Sequence, residues 1–255
     1  MCCLFGFVDY TGALSVNQKN RLIRKLSIAA EARGTDATGI AYNSSRGLQI
    51  YKRPLAAHRL HLKIPAEAHV VMGHTRMTTQ GSAKKNYNNH PFFGRVKGKT
   101  FALAHNGVIW NDLELRRTKH LPRTKVQTDS YIAVQLIEQQ KALNLSSLKC
   151  MAEQVEGSFS FSVLSEQDDL WLVKGDNPLT IIHFPAVGVY VYASTAEILN
   201  KALARCGNWL GRGEKVDIAM GDIVKIDSNG RITRGAFDAS KFYRSSWGYW
   251  DTPLY

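Results

Sequence analysis

The chain has only four cysteines, Cys2, Cys3, Cys150 and Cys206, and no two of them stand at CxxC spacing. Adjacent residues such as Cys2 and Cys3 rarely bridge. This argues against a disulfide framework or a zinc ribbon, and a reducing cytoplasm is the expected compartment. No stretch approaches the roughly 20 apolar residues that a membrane helix needs. The opening segment MCCLFGFVDYTGALS is apolar but lacks a basic n-region, which argues against a signal peptide and for a buried strand. Internal repeats and low-complexity tracts are missing. Acidic residues are the scarcer sign, 21 against 33 Lys and Arg, for a net charge of +12. The basic residues are scattered, including Lys19, Arg21, Arg24 and Lys25, then Lys84 and Lys85, then Arg116 to Lys125. They carry neither zinc-finger spacing nor an aromatic-interleaved RNA signature. The plain reading is a solvated basic surface; the sharper one is a face for nucleic acid or an acidic partner.

What is present supports a folded enzyme-sized unit. At 255 residues and 44% hydrophobic, the chain can bury a sizeable core, and 21% charged residues argue against wholesale disorder. Residues 2–9 read as a first strand. Apolar positions at Leu22, Ile23, Leu26, Ile28, Ala29 and Ala30 give helical spacing over 16–32, with Ser15 as its cap and Gly34 at its end. Strand-like runs follow at 39–43, 48–52 and 68–73, then a loop-rich stretch over 78–99. Residues 101–104 read as a strand running into a turn at His105-Asn106-Gly107. Helices are expected over 128–142, 146–155 and 195–205. Strands are expected at 158–164, 169–174, 179–184, 187–192, 222–227 and 230–234, the last two joined by a hairpin turn at Ser228-Asn229-Gly230. Strands in runs and helices in blocks predict antiparallel sheets covered by helices. The segment 241–255 is aromatic-rich and without period, and stands apart from a domain over 2–240.

Four places carry residue types suited to chemistry. Removal of Met1 would make Cys2 the first residue, with a thiol and an α-amine on one carbon. An α-amine has a pKa near ~7.7–8.0 and can accept a proton at neutral pH, which is what a thiol nucleophile needs beside it. The plain alternative is a small buried residue at a strand start. Gly73 to Gly81 follows an apolar run, so Arg76 and Thr79 fall at a strand end or in the loop beyond. An arginine there can hold a carboxylate with two prongs, or simply be an exposed loop residue. Asn106 and Gly107 place a side-chain amide beside a flexible backbone N–H. Such a pair can serve an oxyanion hole or an ordinary hairpin turn. Asp129, within Gln127-Thr128-Asp129-Ser130, can hold an ammonium group or cap a helix.

Together, and in this order, the pieces resemble the class II glutamine amidotransferases. The start MCxxFG, Arg33 to Gly39 (RGTDATG), Gly73 to Gly81 (GHTRMTTQG), Asn88 to Pro91 (NNHP), Ala104 to Gly107 (AHNG) and Thr128 to Ser130 (TDS) match that family's motifs. Weaker echoes lie at 156–159, 177–179, 193–195 and 220–222. The resemblance implies an α+β fold, the four-layer αββα sandwich of N-terminal-nucleophile hydrolases. It implies Cys2 as nucleophile with its own α-amine as base, and Asn106 and the Gly107 N–H as oxyanion hole. Arg76 would hold the glutamine α-carboxylate and Asp129 its α-ammonium, with Thr79 lining the pocket. Glutamine would be the substrate, ammonia and glutamate the products, and no cofactor or metal is implied.

Three positions depart from the family's pattern: Cys3 for a glycine, Met77 for a tryptophan and Gln80 for a histidine. No acceptor domain is recognisable after residue 226, so the expected partner is a separate ammonia-accepting synthase subunit. Trp247, Tyr249, Trp250 and Tyr255 are the candidate docking residues, with packing on the domain's own core as the plain alternative. Two other readings compete: a hydrolase of another γ-glutamyl amide or peptide, and a non-catalytic nucleic-acid-binding module.

Overall fold

The computed structural model describes residues 2–242. In chain order its strands and helices are β1 (Cys3–Asp9), α1 (Val16–Ala30), β2 (Ala37–Ser44), β3 (Gly47–Arg53), β4 (Val70–Arg76), β5 (Phe92–Val96) and β6 (Lys99–Ile109). Then come α2 (Asp112–Thr118), α3 (Tyr131–Gln139), α4 (Leu145–Gln154), β7 (Gly157–Ser165), β8 (Leu170–Lys174), β9 (Thr180–Phe184) and β10 (Val189–Ala193). The order ends with α5 (Ala196–Leu203), β11 (Glu214–Val216), β12 (Asp222–Ile226) and β13 (Ile232–Ala236).

β1 is buried along its whole length because both of its faces are covered. Cys3, Phe5 and Phe7 pack against α1 and α5, while Leu4 and Val8 pack against the second sheet, the period-2 division of a strand. α1 starts where the sequence places it: Ser15 and Gln18 form a reciprocal capping box. Its buried face is Leu22, Ile23, Leu26, Ala29 and Ala30, and a short turn at Glu31–Arg33 leads into Gly34.

All strand pairs are antiparallel. One sheet runs β11-β9-β10-β1-β4-β2-β3, the other β13-β12-β8-β7-β6-β5. A central core joins them through Leu4, Val70 and Met72 on one side and Ala102, Ala104 and Leu172 on the other. α1 and α5 cover the outer face of the first sheet; α3 and α4 cover that of the second. This is the αββα sandwich. Among the described residues no helix is long and apolar enough to cross a membrane.

Several local expectations need correction. Asn106-Gly107 is not a turn: β6 continues to Ile109 and stays paired with β7, Gly107 opposite Phe159 and Ile109 opposite Gly157. The loop-rich stretch ends in strand β5, which completes the sheet edge beside β6. Helix α2 and the three-residue β11 also lay outside the expected elements. Lys19 is not on a basic surface but buried. Its Nζ lies 3.3 Å from Asp9 Oδ2 and donates to Ala66 O at 2.8 Å. Asp9 also accepts the N–H groups of Ala13 and Leu14. The pair thus fixes the β1–α1 connection, since a buried charge persists only when its bonds are satisfied. The aromatic residues Trp247, Tyr249, Trp250 and Tyr255 lie outside the described residues. Phe242 packs against the core over α3 and α4.

Candidate active site

Cys2 immediately precedes β1 and is 8% exposed. Its Sγ donates to Met77 O at 3.5 Å, at the exit of β4, and its carbonyl accepts from Arg33 Nε at 2.8 Å. Burial pushes the thiol pKa up, opposed by the Arg76 guanidinium and reinforced by the Asp129 carboxylate. The thiol needs a base to become a nucleophile, and none of the histidines hydrogen-bonds it among the described residues.

Arg76 ends β4 and is buried. Its guanidinium is already engaged: Nη1 donates to Asn89 Oδ1 at 2.7 Å, and Nη2 to Gln80 O at 2.5 Å and Gly81 O at 3.3 Å. Of the five N–H donors of a guanidinium, three are used in holding the 80–89 loop. The remaining two are what Arg76 can offer a substrate carboxylate. Thr79 lies in the same loop and is exposed.

Asn106 and Gly107 sit inside β6, on the sheet facing the Cys2 strand. Asn106 is fully buried. Its carbonyl accepts from Asn177 Nδ2 at 3.1 Å, and its own Nδ2 lies 3.4 Å from Ser194 Oγ. Gly107 has φ +144, and a Cβ there would stand 1.9 Å from Ser158 O. Only glycine fits this backbone.

Asp129 is buried in the turn before α3. It does not cap that helix, because its Oδ2 accepts the Ile109 N–H at 2.6 Å. Ser130 Oγ lies 3.3 Å from Oδ1. The Asp129 N–H donates to Gln80 Oε1 at 2.8 Å. Gln80, one of the departures from the family's pattern, thus ties the 80–89 loop to the Asp129 turn. Asn88 and Gln127 add two further bonds, at 2.9 and 3.1 Å. The structure brings Cys2, Arg76, Asn106, Gly107 and Asp129 into one neighbourhood and leaves Thr79 at its exposed edge.

Sequence reasoning passed over a buried histidine cluster behind these groups. The His74 and His90 rings are 4.1 Å apart, and His74 Nε2 donates to His105 O at 2.9 Å. His105 Nδ1 lies 2.8 Å from Ser130 Oγ. Burial keeps all three neutral, with His74 pushed down to about 3. Each belongs to a quoted motif, and that was the only signal for them. Lys52 was also missed. Its Nζ donates to Asn89 O and to Pro91 O at 2.9 Å, behind Arg76.

Lys52 gives a pH prediction. Burial first, then the Arg76 charge, pushes its pKa down to about 8 from 10.5. Between those pH values the unfolded chain keeps a proton that the folded chain has released, so folding stability gained from this group rises with pH. The stability difference between wild type and Lys52→Met should therefore grow in favour of wild type from pH 8 to 10.5. Urea melts across that range check it, and parallel curves would refute it.

The four-layer αββα sandwich is the fold of the N-terminal-nucleophile hydrolases. A family model described as a glutamine amidotransferase domain matches residues 74–201. That span holds Arg76, Asn106, Gly107 and Asp129, while Cys2 precedes it. Glutamine-fructose-6-phosphate aminotransferase (isomerizing) of Bacillus thuringiensis subsp. konkukian is 32% identical over 190 residues, 71% of this chain and 30% of that protein. The structure of glutamine phosphoribosylpyrophosphate amidotransferase from B. subtilis has the same fold at 18% identity, with a TM-score of 0.69. It is matched over 93% of this chain and 49% of that one. A Pseudomonas aeruginosa structure described as a predicted glutamine amidotransferase aligns over 91% of this chain and 94% of that one, with 16% identity and a TM-score of 0.52. The chain belongs to the class II glutamine amidotransferase domain family. It spans about a third of the curated relative's length.

Proposed function

We propose that the chain hydrolyses glutamine to glutamate and ammonia through a γ-glutamyl thioester on Cys2, in the cytoplasm, and delivers the ammonia to a separate synthase chain. The observation that carries the reading is the setting of Cys2. Its buried Sγ meets Met77 O at 3.5 Å, next to Arg76 at the end of β4, and Ser194 links the strand it precedes to Asn106 of the facing sheet.

In this reading the Cys2 α-amine takes the thiol proton, and sulfur attacks the carboxamide carbon. The carbonyl electrons move to oxygen, where Asn106 Nδ2–H and the Gly107 N–H hold the negative charge. Collapse of the tetrahedral adduct breaks the C–N bond, and the α-ammonium returns its proton to the departing ammonia. Water then gives a proton to the amine and attacks the thioester carbon, releasing glutamate and regenerating the thiol. Arg76 and Asp129 hold the α-carboxylate and α-ammonium, opposite charges for opposite groups. Thr79 lines the outer edge. Residues 2–240 are the catalytic unit and 241–255 the segment that docks the synthase.

The test is glutamate release from glutamine by protein whose loss of Met1 is established by mass spectrometry. Release with a trapped thioester is expected. Neither release nor thioester in correctly processed protein, alone or with a copurified partner, sinks the proposal. Asp129→Asn should raise KM about 10- to 100-fold, the loss of a charged hydrogen-bond partner, with a smaller effect on kcat. An unchanged KM would remove Asp129 from the ammonium site.

A further inference from the structure

Ser194 lies one residue beyond β10, where the two sheets approach each other. Its N–H donates to Leu4 O at 2.9 Å, and its Oγ accepts the Leu4 N–H at 2.8 Å. It is thereby locked to β1 two residues from the Cys2 nucleophile. The same Oγ lies 3.4 Å from Asn106 Nδ2, in β6 of the other sheet. Ser194, Leu4 and Asn106 are all fully buried. One hydroxyl thus touches both the strand that carries the nucleophile and the side chain read as oxyanion donor.

The amide of Asn106 carries an inconsistency that points to its working orientation. With Nδ2 towards Ser194, its Oδ1 is buried without a hydrogen-bond partner among the described residues. A buried acceptor left unpaired bears its full desolvation penalty. The oxygen and nitrogen of an asparagine amide are assigned from the surrounding bonds, and a half-turn exchanges them. After that turn Oδ1 faces Ser194, whose hydroxyl proton can be donated to it while the oxygen still accepts from Leu4 N–H. Nδ2 then takes the buried place that Oδ1 leaves, where the protein offers no partner, and its two protons are paired only when a substrate oxygen arrives. An acceptor in that place would repel a developing oxyanion, and a donor stabilises it. The 3.4 Å separation is long for a hydrogen bond, as catalytic contacts commonly are before substrate tightens them.

We propose that Ser194 is a positioning residue that holds the Asn106 amide, nitrogen outward, against the Cys2 strand, so that nucleophile and oxyanion donor move as one unit. This rests on the reading of Asn106 as oxyanion donor. It also gives a role to the 193–195 echo, which the substrate contacts leave unexplained.

The experiment compares Ser194→Ala, Asn106→Ala and the double variant by kcat, KM and thermal melting. The rate of Cys2 alkylation by iodoacetamide is measured in parallel, because that reaction forms no tetrahedral oxyanion. Ser194→Ala should lower kcat about 10- to 100-fold, the scale of a misplaced catalytic group. KM and the alkylation rate should be nearly unchanged, and the substitution should cost nothing further in the Asn106→Ala background. Should Ser194→Ala fail to fold, Ser194→Cys, of similar size with a weaker donor, should show the same split. Wild-type kcat in the Ser194 variant while Asn106→Ala is inactive overturns the proposal. So does an alkylation rate that falls in step with kcat, since Ser194 would then only support β1. Full activity in Asn106→Ala defeats the underlying reading instead, and the positioning role with it.

Discussion

Replacing Cys2 with alanine should reduce glutamate release by roughly a million-fold, the scale on which removal of a hydrolase nucleophile acts, while the fold survives. The second half of this expectation follows from the position of Cys2 ahead of β1, outside the ladder that β1 makes with β4 and β10. A sharper version leaves the thiol in place and blocks its processing. Burial pushes the Cys2 pKa up, so at neutral pH little thiolate forms without a base. The three buried histidines are held neutral by burial; His74 and His105 hydrogen-bond elsewhere, and none of the three bonds the Cys2 sulfur among the described residues. The base left is the α-amine of Cys2, which while Met1 remains is an amide nitrogen with no basic lone pair. A chain with one glutamate inserted between Met1 and Cys2 keeps its methionine. It should be as inactive as Cys2→Ala, although its thiol can still be alkylated. Glutamine turnover by that blocked chain would show that a side chain supplies the base.

The motifs of the site were legible because the chemistry demands particular residues at short spacing. Arg76, Asn106, Gly107 and Asp129 each stand in a run of three to nine residues that has a recognisable form. The elements followed from period: α1 from its apolar positions and capping box, β1 from its continuous apolar run. Asn106-Gly107 was misjudged as a turn because Asn-Gly is the strongest local hairpin signal. That signal is overridden here by β7, whose pairing with β6 continues to Ile109. Lys19 was misjudged for a related reason. A lysine within a basic run reads as surface, and its burial depends on Asp9 and the Ala66 carbonyl, the latter 47 residues away. The connections that orient the site were beyond the sequence altogether. Ser194 reaches Leu4 across 190 residues and Asn106 across 88, and no periodicity records such a contact. The use of most of the Arg76 donors within the 80–89 loop was equally invisible, since the motif specifies an arginine but not its partners.

Gly107→Ala should be among the most damaging single-methyl changes in the described residues, because it brings together backbone strain and a backbone clash, a combination that Gly157 (φ +137, Val108 O at 2.0 Å) shares, and does so at the proposed oxyanion donor. At φ +144 an alanine is strained, and its Cβ would meet the Ser158 carbonyl at 1.9 Å. The clash is with backbone of the neighbouring strand, so relief requires β6 and β7 to part at the point where Asn106 is held. Gly47 supplies the control: it has φ +84 with nothing within 4 Å of its would-be Cβ. Gly47→Ala should therefore show conformational strain alone, about 1–2 kcal/mol, with unchanged glutaminase activity. Gly107→Ala should lose at least about 3 kcal/mol. The molecules still folded should release glutamate about 100- to 1000-fold more slowly, as when an oxyanion donor is lost. Urea midpoints and initial rates measured under native conditions separate the two effects. If Gly107→Ala loses no more stability than Gly47→Ala, the β6–β7 pair yields locally at little energy. If it also keeps its rate, the Gly107 N–H is not a donor to the oxyanion, and Asn106 must hold that charge without it.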